Sequence, residues 1–380
     1  MRLAFLSGGA ANGIVARVAK DAGIEVGGTF GPVGAMRDKL LAGEPCDLVI
    51  LTHAQIAGLT ASGHVEPAAV SDLGTVQTSV AVRTDAPPVD VSTPEGLRAA
   101  LLAADAIHFP DPLKATAGIH FAQVMDALGI SAAVASKLRT HPGGLPAMAA
   151  VAASKGNPIG VTQATEIAVT AGVRLVAPLP APHGLATVYT VAVNVASGEK
   201  QAATEFIARL VGREAAVLRA QMGFEGALVR RATRGDEAAI RELVFSILAK
   251  EYSIQPEPEG TDRDLFDLDA HYFTRGGTFD VAIDPSGALV GCCGTYATDA
   301  ASCELRKMYV RRDARGQGLA KRLLERAIAF GRARGCERIE LETASVLKEA
   351  ISMYEKAGFV RGVQPPHVQR CDRVYSLALR

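Results

Sequence analysis

Gly316 and Gly318 stand two apart between a run that reads as a strand and a run that reads as a helix. Residues 305–310 are short and mostly apolar, as a buried strand requires. Residues 313–318 carry turn chemistry, and from Leu319 the period changes: Leu319, Leu323, Leu324, Ala327, Ile328 and Gly331 fall at helical spacing. Gly335 sits where a left-handed C-cap belongs. A strand, a glycine turn and a helix start in that order form an anion site. The N–H groups of the first helical turn point back at the loop, and the helix dipole favours negative charge there. Gly316 and Gly318 also lack the side chains that would hold a diphosphate off the backbone.

The whole string sharpens this reading. Arg315-Gly316-Gln317-Gly318-Leu319-Ala320 resembles the Arg/Gln-x-x-Gly-x-Gly/Ala signature of the GNAT superfamily of acyl-CoA-dependent N-acetyltransferases. Met353-Tyr354-Glu355-Lys356-Ala357-Gly358-Phe359 resembles the Tyr-x-x-x-Gly-Phe ending of the same superfamily, and the likeness covers residues 227–380. It implies acetyl-CoA as acyl donor and direct transfer to a small-molecule amine. Such an amine is protonated at pH 7, and reaching its neutral form from a pKa near 10.4 costs about 4.6 kcal/mol at 1.36 per unit. A base must therefore be near, and Glu304, one residue before the core strand, resembles the glutamate base of some of these enzymes. The resemblance further implies that backbone groups of Met308, Tyr309 and Val310 pair with the pantetheine arm and supply an N–H to the charged oxygen of the intermediate. Tyr354 matches the tyrosine that protonates the leaving thiolate. One departure stands out: Leu347 occupies the position, seven before this tyrosine, where many relatives have asparagine. Asp262, Asp264, Asp267 and Asp269 lie where the acceptor cleft is usually walled, on an expected helix over 262–274. Both a cationic acceptor and a merely solvated helix face fit them.

The elements that must position these residues follow the same plan. A strand over 227–232, a capping box from Thr233 to Asp236, a helix, a hairpin across Asp284-Pro285-Ser286-Gly287, the core strand, the glycine turn and two further strand–helix steps make an α+β domain. The front of the chain alternates differently: strands at 3–6, 26–30 and 47–51 with helices at 14–21 and 35–42 predict an α/β parallel sheet covered on both faces. Ligands gather at the carboxyl ends of such strands, so the loops 7–13 and 31–34 belong to one candidate pocket. Further strands are expected at 76–83, 106–109, 158–162, 173–176 and 187–194, with a single closing helix over 199–221.

That order, with Leu41-Ala42-Gly43-Glu44-Pro45-Cys46-Asp47 and Met222-Gly223-Phe224, resembles the type II periplasmic-binding-protein fold, most closely its molybdate-binding branch. The likeness runs over residues 2–224 and implies two lobes, 1–80 plus 190–226 and 81–189, around a cleft. The implied cleft residues are Ser7, Gly8, Gly9, Ala10, Pro32, Val33, Thr116, Thr162 and Gln163. Where the molybdate branch has serine hydroxyls, this chain has Ala10 and Val33, which donate no side-chain hydrogen bond. Each missing bond to a charged group forfeits about 1.5–3 kcal/mol, so a small organic ligand fits at least as well as a small anion such as molybdate.

The chain of 380 residues has 40 basic and 40 acidic side chains, and neither half points to a nucleic-acid or membrane partner. Its six cysteines show no Cys-x-x-Cys spacing, and its histidines no metal spacing, so no metal is expected. With no secretory signal at the start, the reading is cytoplasmic. The expected arrangement is thus 1–226 as a two-lobed small-ligand domain and 227–380 as an acyltransferase domain open to regulation by the first, with a homodimer left open. A sensor that holds CoA without efficient turnover is the alternative.

Overall fold

The computed structural model describes residues 1–379. They form two compact units, the first of residues 1–56 and 72–226, the second of residues 57–71 and 227 onward. The expected cut at 226 thus misses one segment. Residues 57–71 group with the second unit, where Ser71 bridges Arg230 and the Val70 carbonyl accepts from Arg326 Nη2 at 3.0 Å.

In the first unit, Arg2–Gly8 pairs in parallel with Glu25–Gly31 and Leu48–Thr52. Leu48 to Leu51 is fully buried, a continuous apolar run of the kind covered by helices on both faces. Ala186–Asn194 adds an antiparallel strand. A second sheet joins Ile107–Pro110 in parallel to Leu138–His141 and Ile159–Gln163, and the last of these runs antiparallel to Val65–Arg83. Val65–Arg83 is one strand of 19 residues, where the sequence predicts only 76–83. Glu66, Pro67 and Asp72 interrupt its apolar pattern and hide its first half. The expected helix over 199–221 is in fact Lys200–Val211 and Ala216–Gln221. Gly212 leaves the helical region at ψ 162 and parts them.

In the second unit, Leu228–Arg231, Thr278–Ile283, Leu289–Ala297 and Ser302–Val310 form an antiparallel run, and Ser302–Val310 meets Arg338–Thr343 in parallel. Glu237–Tyr252, Leu319–Ala333 and Lys348–Lys356 are its main helices. The Thr233–Asp236 capping box forms. The expected helix over 262–274 does not. Those residues make a tight turn at Arg263–Leu265 and one wide turn at Asp269–Phe273. The Asp262 carboxylate accepts from the Glu257 N–H at 2.9 Å, a local bond that competes with helical backbone pairing.

Two irregularities in Ser302–Val310 prepare a site. Its pairing with Leu289–Ala297 shifts between Cys292↔Tyr309 and Gly294↔Arg306, a bulge in which Lys307 takes a left-handed φ of 53°. Its parallel pairing runs from Ser302↔Arg338 to Glu304↔Glu340 and, among the described residues, goes no further. Beyond Glu304 the two strands diverge, which leaves the 308–310 backbone without a sheet neighbour on that side.

Candidate functional sites

Where the strands part, a cavity of about 310 Å³ opens, its lining including Met308, Tyr309, Val310, Arg315, Ala320 and Tyr354 together with Tyr252 and Leu347. Gly316 and Gly318 border the helix start at φ 79° and 75°, and no atom lies within 4 Å of where their Cβ would be. Backbone conformation, rather than crowding, therefore demands glycine at both places. The first intrahelical bond is Arg322 N–H to Gly318 O at 3.0 Å, so the N–H groups of Leu319 and Ala320 have no carbonyl of their own helix to meet. The Arg315 side chain is committed elsewhere. Its Nε donates to Val310 O at 2.9 Å and its Nη2 to Glu251 Oε2 at 2.7 Å, which ties the turn to the strand end and the helix Glu237–Tyr252. Gln317 is exposed.

Tyr354 is buried against Phe359, with ring centroids 5.8 Å apart. Burial, then the neighbouring Cys293 and Tyr309, pushes its phenol well above the usual range, so it holds its proton at neutral pH. Glu304 faces a second cavity, about 70 Å³, shared with Thr261, Arg306, Glu342 and Arg370. Its Oε2 accepts from Tyr296 Oη at 2.7 Å, and Arg306 Nε lies 3.7 Å from Oε1. Tyr309 and Leu347 line both cavities. The two expected catalytic side chains thus flank a common wall.

The four aspartates do not form an acidic wall. Asp262 is wholly buried, accepting from both Arg370 Nη atoms at 2.7 and 2.6 Å and from Lys307 Nζ at 2.6 Å. Asp264 accepts from Tyr272 Oη at 2.7 Å. The charge of these two is neutralised inside the protein, while Asp267 is exposed and Asp269 pairs with Arg234, so the four do not line one cleft. Tyr296, Arg306 and Arg370 are site residues that sequence reasoning missed. Tyr296 lies opposite Glu304 in the strand pairing and Arg306 two residues along the same strand, signals a hairpin register carries, whereas Arg370 is tied to Asp262, 108 residues away, which no local pattern reveals.

In the first unit a cleft of about 200 Å³ is lined by Gly9, Ala10, Pro32, Val33, Thr116, Thr162 and Gln163, together with the unforeseen Glu166 and Tyr189. The starts of the helices Asn12–Asp21, Val33–Leu41, Thr116–Ala127 and Gly144–Ala153 border it, and at the last of these the Gly144 and Leu145 N–H groups already meet the Glu166 carboxylate. Ser7 and Gly8 are outside this lining. Ser7 is fully buried and its hydroxyl donates to Gly8 O at 3.0 Å, while a Cβ on Gly8 would press on Val33 Cγ1 at 2.8 Å.

Elsewhere, His108 Nδ1 lies 3.0 Å from His141 Nε2, and His108 Nε2 lies 3.1 Å from Ser154 Oγ. Burial, then the neighbouring His141, pushes His108 down to about 4. Its folded value is below the ~6.5 of an unfolded histidine, so the unfolded state binds more protons in between. The first unit is expected to lose stability as pH falls from about 6.5 towards 4, and His108→Gln to flatten that slope, read by urea unfolding at several pH values. Among the described residues no group of three His, Cys, Asp or Glu side chains is placed to hold a metal, and no single helix is long and apolar enough to cross a membrane. Cys292 and Cys293 are buried in the sheet, with Cys292 pushed up to about 12 by burial. Both are inert thiols rather than a redox sensor.

Residues 8–225 match the family described as bacterial extracellular solute-binding protein, and residues 241–359 match the acetyltransferase (GNAT) family. The chain is 36% identical over 137 residues to the uncharacterized N-acetyltransferase YjgM of Escherichia coli (strain K12), which is 35% of this chain and 81% of the relative. Two further N-acetyltransferase relatives are matched over 58% and 45% of their own length. The front is 26% identical over 183 residues to an aconitate isomerase of Pseudomonas sp, 48% of this chain and 68% of that one. Among solved structures, the Azotobacter vinelandii periplasmic molybdate-binding protein aligns with a TM-score of 0.48 at 16% identity, over 58% of this chain and 98% of that one.

Proposed function

The chain belongs to the bacterial extracellular solute-binding protein family at its front and to the acetyltransferase (GNAT) family at its back, and from that premise we propose an acetyl-CoA-dependent N-acetyltransferase joined to a receptor for a small carboxylic acid. The observation that carries the enzymatic half is the parting of two parallel strands after Glu304, beside a glycine turn that opens a helix. The match of residues 241–359 to the acetyltransferase (GNAT) family supports acetyl-CoA as the donor.

In this reading the diphosphate rests on the N–H groups of the 316–320 turn, and the pantetheine arm pairs with the open 308–310 backbone. An amine entering on the Glu304 side attacks the thioester carbonyl carbon, the N–C bond forms as the carbonyl electron pair moves onto oxygen, and collapse of this intermediate breaks the C–S bond. The amine proton leaves to Glu304, directly or through water, and the departing thiolate takes a proton from Tyr354. A backbone N–H in 308–310 meets the oxygen that gains charge. Thiol release with acetyl-CoA and a panel of amines tests this. Gly318→Val forces a β-branched residue to φ 75° and is expected to weaken CoA binding by at least tenfold in calorimetry. Unaltered CoA binding in that variant, or no CoA binding by the wild type, removes the assignment. With Asp262 and Asp264 already paired, polyamines are expected to gain no advantage over amino acids as acceptors in direct competition.

A second reading, a sensor that holds CoA without efficient turnover, is favoured by Leu347, which puts an alkyl chain in the wall shared by the two cavities. CoA binding with thiol release no faster than without protein, across the whole amine panel, selects it.

For the front, the aconitate isomerase relative and the helix starts around the cleft support a small di- or tricarboxylate as ligand. Calorimetry with trans-aconitate, citrate and molybdate separates that class from an oxyanion. If ligand in the front regulates the back, each ligand must alter the other's affinity by the same factor. An acetyl-CoA affinity indifferent to saturating front ligand excludes regulation. The need for acetyl-CoA and the unpaired thiols among the described residues support a cytoplasmic location, which fractionation with compartment markers checks.

A further inference from the structure

We propose that the front cleft is a second active site, in which the Glu166 carboxylate moves a proton between two carbons of a small carboxylic acid, with the Tyr189 phenol steadying the intermediate and the Gln163 amide holding the substrate. This rests on the carboxylate-ligand reading of the cleft given above. Glu166 is 6% exposed and opens onto the cleft, where the Thr162 hydroxyl donates to its Oε2 at 2.6 Å. The backbone is cut away to admit it. A Cβ on Gly9 would lie 2.5 Å from Glu166 Oε1, and one on Gly144 would collide with Oε2. Tyr189 closes the same turn from the other side, with Cε1 3.1 Å from where a Gly8 Cβ would stand. Two consecutive glycines thus run between a carboxyl and a phenol.

Gln163 supplies the independent sign of a ligand. It is 3% exposed, lines the cleft, and neither end of its amide has a hydrogen-bond partner. A buried amide left unpaired at both ends costs stability, and a substrate carboxylate or carbonyl would satisfy it. Glu166 and Tyr189 are the titratable side chains among the cleft's lining residues, and no lysine, arginine or histidine is among them. Substrate charge therefore meets helix starts rather than cations.

The chemistry is self-contained. Glu166 takes a proton from a carbon next to a carboxyl or alkene group, and the C–H electron pair moves into the conjugated system as an enolate-like or allylic anion. Glu166, whose proton exchanges with solvent while the anion lives, then delivers a proton to the other face or to the far carbon of the allylic system and is again a carboxylate. Nothing is oxidised and no co-reactant is consumed. Burial raises the affinity of Glu166 for a proton against the hydrogen bonds that favour its charged form, which suits a group that must both accept and return one. Tyr189, raised by burial and then by the charge of Glu166, stays protonated and can donate to a developing oxyanion.

The test uses the full-length chain with trans-aconitate, glutaconate and itaconate in deuterated water. Calorimetry reads binding, and proton NMR reads loss of carbon-bound hydrogen. Exchange at least one of these probes undergoes in the wild type, slowed about 100-fold or more in Glu166→Gln while binding stays within about tenfold, is the expected result. Binding without exchange above the protein-free rate overturns the inference and leaves the receptor reading standing. No binding of any probe ends both. Exchange that persists in Glu166→Gln also overturns it. Should that variant fail to fold by circular dichroism, Glu166→Asp and Tyr189→Phe take its place. Each is expected to slow exchange at least tenfold, and unchanged rates in both defeat the assignment.

Discussion

Arg370→Met is expected to lower the stability of the C-terminal unit by about 3–5 kcal/mol, the usual cost of removing one partner from a buried ion pair. Asp262 has no solvent contact and depends on the bidentate fork of Arg370 and on Lys307. Burial works to raise its pKa, but the Arg370 hydrogen bonds and the charge of Lys307 outweigh that and hold it at about 2. Without Arg370 the buried carboxylate keeps only Lys307 of these two charged partners. The pH dependence has a definite sign. The folded pKa lies below the ~3.9 of an unfolded aspartate, so the pair's contribution is full above about pH 4 and fades as pH falls towards 2. Urea unfolding across that window is expected to show a smaller acid loss in the variant. Asp262→Asn combined with Arg370→Met should recover part of the deficit, because no buried charge then remains. A midpoint unchanged in Arg370→Met would show that the pair contributes nothing.

Tyr354→Phe is expected to lower kcat for acetyl transfer by about 10²–10³-fold with little change in the KM for acetyl-CoA, the size usual for a positioned proton donor. The ring remains to line the donor cavity, so binding survives while the leaving thiolate loses its proton source. Burial keeps the phenol protonated well beyond the ordinary tyrosine range. The wild type should therefore show no loss of rate between pH 7 and 10 that disappears in Tyr354→Phe. A KM that rises while kcat holds would make Tyr354 a packing residue.

Much of the fold was legible because its signals are local. Leu48 to Leu51 announces a buried strand by itself, and the Thr233–Asp236 box forms where three residues of spacing predict it. The expected helix over 262–274 shows the opposite case. Its aspartates fit a solvated helical face in period, yet the tightest of them pairs with residues 45 and 108 positions away. Ser7 likewise reads as a cleft hydroxyl from its place after the first strand, but its side chain turns back to its own backbone.

What the sequence alone determined is the glycine turn proposed to hold a diphosphate: six consecutive residues with a strand before and a helix after, in which the structure finds both glycines at positive φ. Tertiary structure alone decided that Asp262 would be neutralised by Arg370 and Lys307, that Glu304 and Tyr354 would face separate cavities across Tyr309 and Leu347, and that Glu166 and Tyr189 would enclose one glycine turn. The reason is range. Backbone geometry and helix starts are set by near neighbours, whereas the charge a buried carboxyl carries is set by whichever distant side chain the fold brings within about 3 Å.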